Sequence, residues 1–488
     1  MTAVDETAVA EDLAPLLERA FFGFEAGEHS YPITRIEGEI PSFLRGRYYL
    51  AGPSRFDRGG FRYRHWLDGD GTVSALRFED GGVHFTHRFV RGTKWTDEEA
   101  AGEPLYRTFG TAFDGDRLVR GIALASPLNV SVLPFAGTLL AFGEQGLPWE
   151  LDPVSLETRG AYTFGRRLNE VSPFSAHPVV DLGSGEMFNF GISFSATAPM
   201  LNLYRFTADG SLADRWRVPI DAPRSVHDFA LSPRHAAFYL SPYVLDMAAL
   251  AAGGTLMEAL SWEPERGSRL LVLDRRTGEQ VASLSIGSRY CLHLIGSFEA
   301  GDLLMVDAVE LGRPVYDQYD VPQLFPDARG SQPVRYVVDV QAGKVVGKVG
   351  LEYRSMCDFP HVDPRLALSD YRDFWVLGIS QSEHEGRKFF DQLVHCDWRR
   401  GRPAGIYQAP PCCYLGGEPV MVPDPAGERR GAIVCQQYDA EADRGAFLIF
   451  DAFNVAAGPR AVLHLEAPVR LGFHATFEPE DRSSWTRS

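Results

Sequence analysis

The chain is poor in the cysteine patterns that bind zinc or build disulfide frameworks. Its 488 residues include six cysteines, and no two of them form a Cys-x-x-Cys pair. Cys412 and Cys413 are adjacent, a spacing with poor geometry for a bridge. Zinc–thiolate sites are therefore not supported, and the reduced thiols of a cytoplasmic protein are expected.

An excess of positive charge is also lacking. Lysine and arginine total 48 against 65 aspartate and glutamate residues, a formal net charge of −17. Proteins that bind nucleic-acid phosphates generally do so through basic surfaces. The charge balance therefore argues against a nucleic-acid partner.

Long, uninterrupted apolar runs are missing as well. The most apolar long stretch, residues 243–262, is broken by two acidic residues and two glycines, which makes a membrane-spanning segment improbable. The first 25 residues are acidic and lack the basic and apolar segments of a secretory signal. We therefore expect a cytoplasmic protein. The apolar stretches Ile192–Leu203 and Tyr243–Leu260 leave two readings open, peripheral membrane contact and buried core.

Extended helical periodicity is absent after about residue 30. Short β-rich runs recur instead, with Asp-Gly or Thr-Gly between two strand-like arms, as in LYRFTADGSLADRW and LLVLDRRTGEQVASL. A β-propeller accommodates such hairpins over more than 400 residues while protecting the sheet edges, and two packed sandwiches are the alternative. We predict an N-terminal lead-in with a short helix over residues 1–30 and one all-β propeller domain over 31–488.

Four of the thirteen histidines lie in apolar, strand-like surroundings far apart in the chain. They are His177 in FSAHPVV, His227 in SVHDFAL, His293 in CLHLIGS and His474 in GFHATFE. No local metal motif such as HExxH is present, so each one taken singly is better explained as a structural residue. In a propeller, however, one histidine from each of four blades can point at the common axis and meet the others there.

Three acidic residues lie in equally apolar contexts. They are Glu144 in LAFGEQGLP, Asp358 in CDFPHVD and Glu418 in GGEPVMV. A metal-ligating histidine usually gives its second N–H to a carboxylate or a carbonyl. Four imidazoles and three carboxylates could therefore form one metal site with its supporting hydrogen bonds.

Several motifs together resemble the carotenoid cleavage oxygenase family. They are NEVSPFSAHPVVD, VHDFALSPRHAAFYLSP, GEPVMVPDP, LGFHATFEP and the upstream run that begins IEGEIPSFLRGRYYLAGPSRF. The resemblance extends from about residue 33 to 478. It implies a seven-bladed propeller with loops over the iron and a non-haem Fe(II) that cleaves an alkene with O₂. It also implies that His177, His227, His293 and His474 are the ligands.

The same resemblance assigns Glu144, Asp358 and Glu418 to the carboxylates behind the histidines, which leaves His177 without an acidic partner. The sequence departs from the family pattern at three positions. Asp358 stands where glutamate is usual, so its shorter side chain is expected to reach its histidine less directly, through water. Ala475 replaces a glycine, and Val130 stands where many members carry a threonine close to the iron.

The substrate implied by the resemblance is either a carotenoid or apocarotenoid, or a phenolic stilbene. Stilbene cleavers resemble one another in a lysine just before the first supporting glutamate, and this chain has Gly143 there. We therefore favour an isoprenoid polyene together with O₂. The aromatic residues beside the proposed site would line its tunnel together with Val130, and these are Phe142, Trp149, Phe359 and Phe473.

Two further functions remain open at this point. A non-catalytic propeller would bind partners through its loops and would hold no metal. A related isomerising enzyme would rearrange a retinyl ester without shortening its carbon skeleton.

Overall fold

The computed structural model describes residues 14–120, 123–481 and Trp485. Within these residues, seven sheets of four or five antiparallel strands form the blades of a β-propeller, and two short two-stranded hairpins accompany them. The predicted seven-bladed fold is therefore confirmed. Residues 1–13 of the predicted lead-in lie outside the described residues.

The N-terminal part supplies most of blade 1. Its elements are α1 (Arg19–Phe22), β1 (His29–Pro32), β2 (Ile36–Gly38), β3 (Gly46–Arg55), β4 (Asp57–Arg58), β5 (Phe61–Arg62), a 3-10 turn (Trp66–Asp68), β6 (Asp70–Glu79), β7 (Gly82–Phe89) and α2 (Thr93–Ala101). Because β1 pairs with β7, blade 1 includes residues on both sides of position 30. The domain boundary at residue 30 stays a prediction.

Blades 2 to 4 follow in chain order. Blade 2 contains β8 (Ser131–Phe135), β9 (Thr138–Phe142), β10 (Trp149–Leu151) and β11 (Thr158–Ala161). Blade 3 contains β12 (Val179–Val180), β13 (Met187–Ser193), β14 (Met200–Phe206) and β15 (Leu212–Pro219). Blade 4 and its insertion contain β16 (Ala230–Leu231), β17 (His235–Leu240), β18 (Tyr243–Leu245), α3 (Met247–Ala251), α4 (Leu256–Ala259), β19 (Leu260–Trp262), a 3-10 turn (Pro264–Arg266), β20 (Arg269–Asp274) and β21 (Gln280–Ser285).

Blades 5 to 7 complete the ring. Blade 5 contains β22 (Tyr290–Ala300), β23 (Leu303–Leu311), a 3-10 turn (Tyr316–Gln318), β24 (Gln332–Asp339) and β25 (Lys344–Gly350). Blade 6 contains β26 (Met356–Val362), a 3-10 turn (Pro364–Leu366), β27 (Asp373–Ile379), β28 (Gln392–Asp397) and β29 (Arg402–Gln408). Blade 7 contains β30 (Cys413–Pro423), β31 (Gly431–Asp439), β32 (Arg444–Asp451), a 3-10 turn (Val455–Ala457) and β33 (Pro459–His464), and β34 (Ala475–Pro479) ends the described strands.

Strands from the two ends of the chain close the propeller. β34 is the innermost strand of blade 1 and pairs with β3, with Leu50 opposite Ala475. β2 pairs with β33 at the outer edge of blade 7, with Ile36 opposite Leu463. This closure places His474, which directly precedes β34, beside the axis.

Burial within a blade follows the position of each strand. Every residue of β17 is buried, because this second strand packs against both neighbouring blades. The outer strand β15 alternates between half-buried and exposed residues over most of its length. The predicted hairpin turn between β14 and β15 is present, and Gly210 adopts a φ of 86° there, a conformation that favours glycine.

Helices are short throughout the described part of the chain. The nine residues of α2 make it the longest, and no helix between residue 14 and the C-terminal strand has the length and apolarity needed to cross a bilayer. Ile192–Leu203 contains the end of β13, the start of β14 and the loop between them, in which Ala196, Thr197 and Ala198 are exposed. Tyr243–Leu260 contains β18 and the two small helices of blade 4. The six cysteines carry free thiols.

Candidate metal centre

Four innermost strands bring the four predicted histidines to one point on the propeller axis. His474 directly precedes β34, His177 lies two residues before β12, and His227 lies three residues before β16. His293 lies within β22. One nitrogen atom from each imidazole lies within 4.8 Å of the other three. His227, His293 and His474 are buried and His177 is half-buried, so the cluster is a small, largely desolvated set of nitrogen donors.

Three carboxylates bind the outer nitrogen of three of these imidazoles. Nδ1 of His227 donates to Oε1 of Glu144 over 2.9 Å, and Nδ1 of His474 donates to Oε2 of Glu418 over 3.3 Å. Glu144 follows β9, and Glu418 lies within β30. These bonds fix the tautomer, so Nε2 carries the free lone pair toward the centre.

The third carboxylate contact differs from the expectation of a water-bridged aspartate. Nδ1 of His293 donates directly to Oδ1 of Asp358 over 2.6 Å. A β-bulge lies between Asp358 and His361, and Phe359 within it has a φ of 55°. A bulge bends its strand and re-aims the side chains, and we attribute the direct contact of the shorter side chain to it.

A fourth carboxylate, Asp228, was missed by the sequence reasoning. Its Oδ1 lies 3.6 Å from Nδ1 of His177, the imidazole expected to have no acidic neighbour. The same side chain accepts hydrogen bonds from the backbone N–H of Phe229 over 2.7 Å and of Leu294 over 2.8 Å. In the sequence Asp228 directly follows His227. This position alone does not show that the Asp228 carboxylate faces His177, which belongs to the neighbouring blade.

Tyr316 is a second residue that the sequence did not single out. Its hydroxyl is buried beside the pair formed by His227 and Glu144. It lies 3.1 Å from Oε1 of Glu144 and 3.0 Å from Nδ1 of His227. The phenol can donate to the carboxylate while His227 donates to the same group. The three side chains therefore hold one another in place.

The unpaired inner nitrogens fit a metal ion. Nε2 of His293 is buried and has no hydrogen-bond partner among the described residues, which is rare for a buried polar atom. Nε2 of His177 lies only 2.8 Å from Nε2 of His227. Imidazole nitrogens are suitable ligands for iron, copper, nickel and zinc, so the donor set fits a divalent transition metal without selecting one.

Burial also sets the charge of the imidazoles. It lowers the pKa of His177 well below its usual value, and the neighbouring imidazoles lower it further. Burial lowers the pKa of His474 to about 4, although Glu418 opposes this shift. Burial acts in the same direction on His293, but the carboxylate of Asp358 outweighs it and raises the pKa. His177 and His474 are thus neutral at pH 7, as metal coordination requires.

The residues expected to line a tunnel occupy different places. The Phe359 ring lies 5.4 Å from the ring of His293 and 5.1 Å from that of His474, between centroids. The carbonyl of Val130 accepts a hydrogen bond from the backbone N–H of His474 over 3.1 Å. Both residues therefore touch the centre.

The other three predicted tunnel residues lie in packed core. The ring of Phe473 lies 4.4 Å from that of Trp66, and Phe142 stacks on Phe174 at 6.4 Å. Trp149 lies in β10, the third strand of its blade from the axis, and packs against an apolar cluster between blades. The structure does not bring Trp149 to the histidines, because the strand order of the blade separates them.

Two cavities lie on the side of the cluster reached by the blade 4 insertion and the loop before β8. A small one of ≈ 20 Å³ adjoins Glu144 and Phe109. A larger one of ≈ 380 Å³ is lined by Tyr243, Met257, Leu260 and Trp262, with Arg313 and Asp317 at its edge. An apolar ligand has suitable walls in this second cavity.

Comparison with known proteins gives a consistent result. The family model described as retinal pigment epithelial membrane protein matches residues 24–479. An apocarotenoid-15,15'-oxygenase from Synechocystis is 27% identical over 480 residues, covering 92% of this chain and 94% of the relative. An isoeugenol monooxygenase from Pseudomonas putida is 28% identical over 461 residues, covering 91% and 94%. The crystal structure of a cobalt-substituted Synechocystis apocarotenoid oxygenase superimposes with a TM-score of 0.86 at 26% identity, covering 95% of this chain and 99% of the other.

Proposed function

Because this chain belongs to the retinal pigment epithelial membrane protein family, which includes the carotenoid cleavage oxygenases, we propose that it cleaves a C=C bond of a carotenoid or apocarotenoid with O₂. The products would be two aldehyde or ketone fragments. The cofactor would be a non-haem Fe(II) held by His177, His227, His293 and His474. The observation that carries this proposal is the convergence of four inward-facing imidazole nitrogens, three of them backed by a directly bonded carboxylate.

The protein's part in this chemistry is to hold the ion and exclude competing ligands. When bound, Fe(II) would supply the binding and activation of dioxygen, which no side chain provides. Four neutral imidazoles leave the ion its full charge, whereas a carboxylate ligand would neutralise part of it. Here the negative charge lies on Glu144, Asp358 and Glu418, which bind the imidazoles instead of the ion. These carboxylates orient the rings and raise their basicity.

Aromatic side chains form one wall of this centre. Phe359 lies against two of the histidines and packs on Phe390 at 5.6 Å between ring centroids. Tyr316 covers the pair formed by His227 and Glu144. Such walls suit an apolar alkene, and no side chain is required as a general base in this reaction.

Space at position 143 supports a polyene over a phenolic stilbene. A Cβ atom on Gly143 would lie 2.0 Å from Oγ of Ser126, a distance that real Cβ contacts do not show. The lysine typical of stilbene cleavers has no room there unless Ser126 moves. A stilbene-cleaving activity is the second candidate, favoured by the similarity to a lignostilbene-alpha,beta-dioxygenase from Sphingomonas paucimobilis, 26% identical over 472 residues, and to the isoeugenol monooxygenase.

The blade 4 insertion supports entry of an apolar substrate from a membrane surface. Met247, Ala249 and Leu250 of α3 are only partly buried and pack on the edge of the core. The ≈ 380 Å³ cavity lies beside them, between Tyr243 and Trp262. We propose that α3 contacts the membrane and that this cavity is the mouth of the substrate tunnel.

A screen of polyenes of graded length tests the proposal. Iron-loaded protein is incubated under air with apocarotenals and carotenoids, and the products are identified by mass. Carbonyl fragments shorter than the substrate are expected. An unshortened skeleton would indicate an isomerising enzyme, and protein that takes up no iron and releases no product would indicate a binding propeller.

A further inference from the structure

A second cavity reaches the histidine cluster along the propeller axis. Its volume is ≈ 270 Å³, and His177, His293 and His474 form one end of it together with Asp228 and Glu418. The remaining walls come from the innermost strands of several blades. This space directly touches three of the four histidines.

This cavity lies on the opposite side of the cluster from Glu144 and Tyr316. Each innermost strand runs away from the cluster after its histidine, and the wall residues come from these later positions, for example Val179, Leu231 and Ile295. Glu144, by contrast, lines the separate small cavity on the insertion side. An organic substrate entering beside Tyr243 therefore approaches from one side, while the axial cavity opens on the other.

The walls and the size define what this cavity can hold. Away from the cluster its lining is apolar, apart from the hydroxyls of Ser131 and Thr476. Pockets that bury a drug-sized ligand measure about 300–1,000 Å³, and this cavity is smaller than that range. A single water needs only about 10–15 Å³, so one or more diatomic molecules fit easily.

We propose that this axial cavity is the path by which dioxygen reaches the centre, separate from the entrance of the organic substrate. The inference rests on the proposed function, because it names the co-substrate that the cavity carries. A bound polyene would fill the aromatic side and exclude water and gas from it. A second apolar path lets dioxygen arrive after the polyene is in place.

A short loop of blade 6 lines the cavity away from the cluster. Ala367 and Leu368 line the cavity directly after the 3-10 turn Pro364–Leu366, and both are half-buried. Arg365 ties this loop to the carbonyl of Asp424 over 3.3 Å and to Asp363 over 2.7 Å. The loop therefore offers a place to block the path without touching a metal-binding residue.

Xenon tests the cavity without any need for catalysis, because apolar cavities of about 150 Å³ bind it. Crystals of the full chain are pressurised with xenon, for the wild type, for Ala367→Trp and for the control Ser369→Trp. Ser369 is exposed and does not line the cavity. Xenon is expected in the wild type and in the control, but not in Ala367→Trp. An empty cavity in the wild type would overturn the proposal.

Oxygen kinetics test the path on iron-loaded protein. We expect Ala367→Trp to raise KM for dioxygen several-fold, with KM for the polyene unchanged and the control equal to the wild type. Val179→Phe, which fills the cavity from β12, should act in the same way if Ala367→Trp fails to fold. An unchanged KM for dioxygen in both filled variants, or a rise in KM for the polyene instead, would overturn the path alone. Absence of polyene cleavage by the wild type would overturn the proposed function itself.

Discussion

Nδ1 of His293 and Oδ1 of Asp358 lie 2.6 Å apart, the shortest contact between an imidazole and a carboxylate at the histidine cluster. The corresponding hydrogen bonds of His227 and His474 measure 2.9 and 3.3 Å. The aspartate is one methylene shorter than the glutamate that the family resemblance leads one to expect. The bulged strand makes up this difference, so the shorter side chain is matched to its backbone.

Substitutions at Asp358 should therefore lower metal affinity when the side chain is neutralised and lower stability when it is lengthened. Asp358→Asn removes the charge that orients His293, and loss of such a supporting group typically costs 10- to 100-fold in affinity. Asp358→Glu adds a methylene to a fully buried site, and overpacking costs about 1–3 kcal/mol of unfolding free energy. Competition titration with a chelator measures the first effect, and thermal unfolding measures the second.

Glu170→Gln is a suitable control, because Glu170 pairs with Arg120 and both side chains are exposed. Exposed ion pairs contribute little, so this variant should keep both metal affinity and stability. Equal metal affinity in wild type and Asp358→Asn would show that the short contact has no role at the centre.

Removal of Asp228 should affect both the fold and the centre. Asp228→Ala would leave the backbone N–H groups of Phe229 and Leu294 without their acceptor, and each unsatisfied buried group costs about 1–3 kcal/mol. Because Leu294 follows His293 and the carboxylate lies near His177, metal affinity should fall as well. Denaturant unfolding with and without metal separates the two effects. A variant with unchanged stability would contradict the role of these hydrogen bonds.

Stability of the metal-free protein should decrease as the pH falls from about 6.5 to about 4. Burial lowers the pKa of His474 from 6.5 to about 4, so across this window the unfolded chain binds a proton that the folded chain does not. His177 has its pKa lowered well below the usual value and acts in the same direction. His293, whose pKa is raised, acts oppositely and loses its contribution as the pH rises.

Denaturant unfolding at a series of pH values measures this dependence. His474→Ala should flatten the slope between pH 6.5 and 4, because it removes one of the depressed groups. Added metal should be released as the pH falls, since coordination requires neutral imidazoles. A slope that is the same in the wild type and in His474→Ala would contradict the assignment of this titration.

A side chain at position 143 should destabilise the protein without creating activity on phenols. The Cβ of Gly143→Ala would meet Oγ of Ser126 at 2.0 Å, so the Ser126 side chain must rotate away and give up its hydrogen bond with the backbone N–H of Leu128. We expect a lower melting temperature and a loss of polyene cleavage in Gly143→Ala and Gly143→Lys. Gly81→Ala is the control, because its Cβ would meet nothing within 4 Å. Efficient stilbene cleavage by Gly143→Lys would contradict the steric argument.

The sequence allowed prediction of the propeller and of the residues that meet on its axis, but for different reasons. Hairpins such as the one around Gly210 are visible locally, because their turns need particular residues. The convergence of His177, His227, His293 and His474 is not visible locally, and it was predicted from the family motifs. The placement of these residues beside one another follows from the closure of the ring by β34 and β3.

The features that the sequence did not indicate depend on contacts between blades. Asp228 lies 3.6 Å from His177, which precedes it by 51 residues in the chain. Trp149 was expected near the centre because it follows Glu144 closely, but the strand order of blade 2 carries it outward. The axial cavity is formed by residues of several blades, and no single segment contains its pattern.

Incorporation of labelled oxygen tests the proposed reaction most directly. Iron-loaded protein is given an apocarotenal under ¹⁸O₂, and the two carbonyl products are analysed by mass before exchange with water. Addition of both atoms of one dioxygen across one C=C bond predicts a single ¹⁸O in each new carbonyl group. An unshortened substrate, or products that carry the label in only one fragment or in neither, would contradict the assignment of this chain as a carotenoid-cleaving dioxygenase.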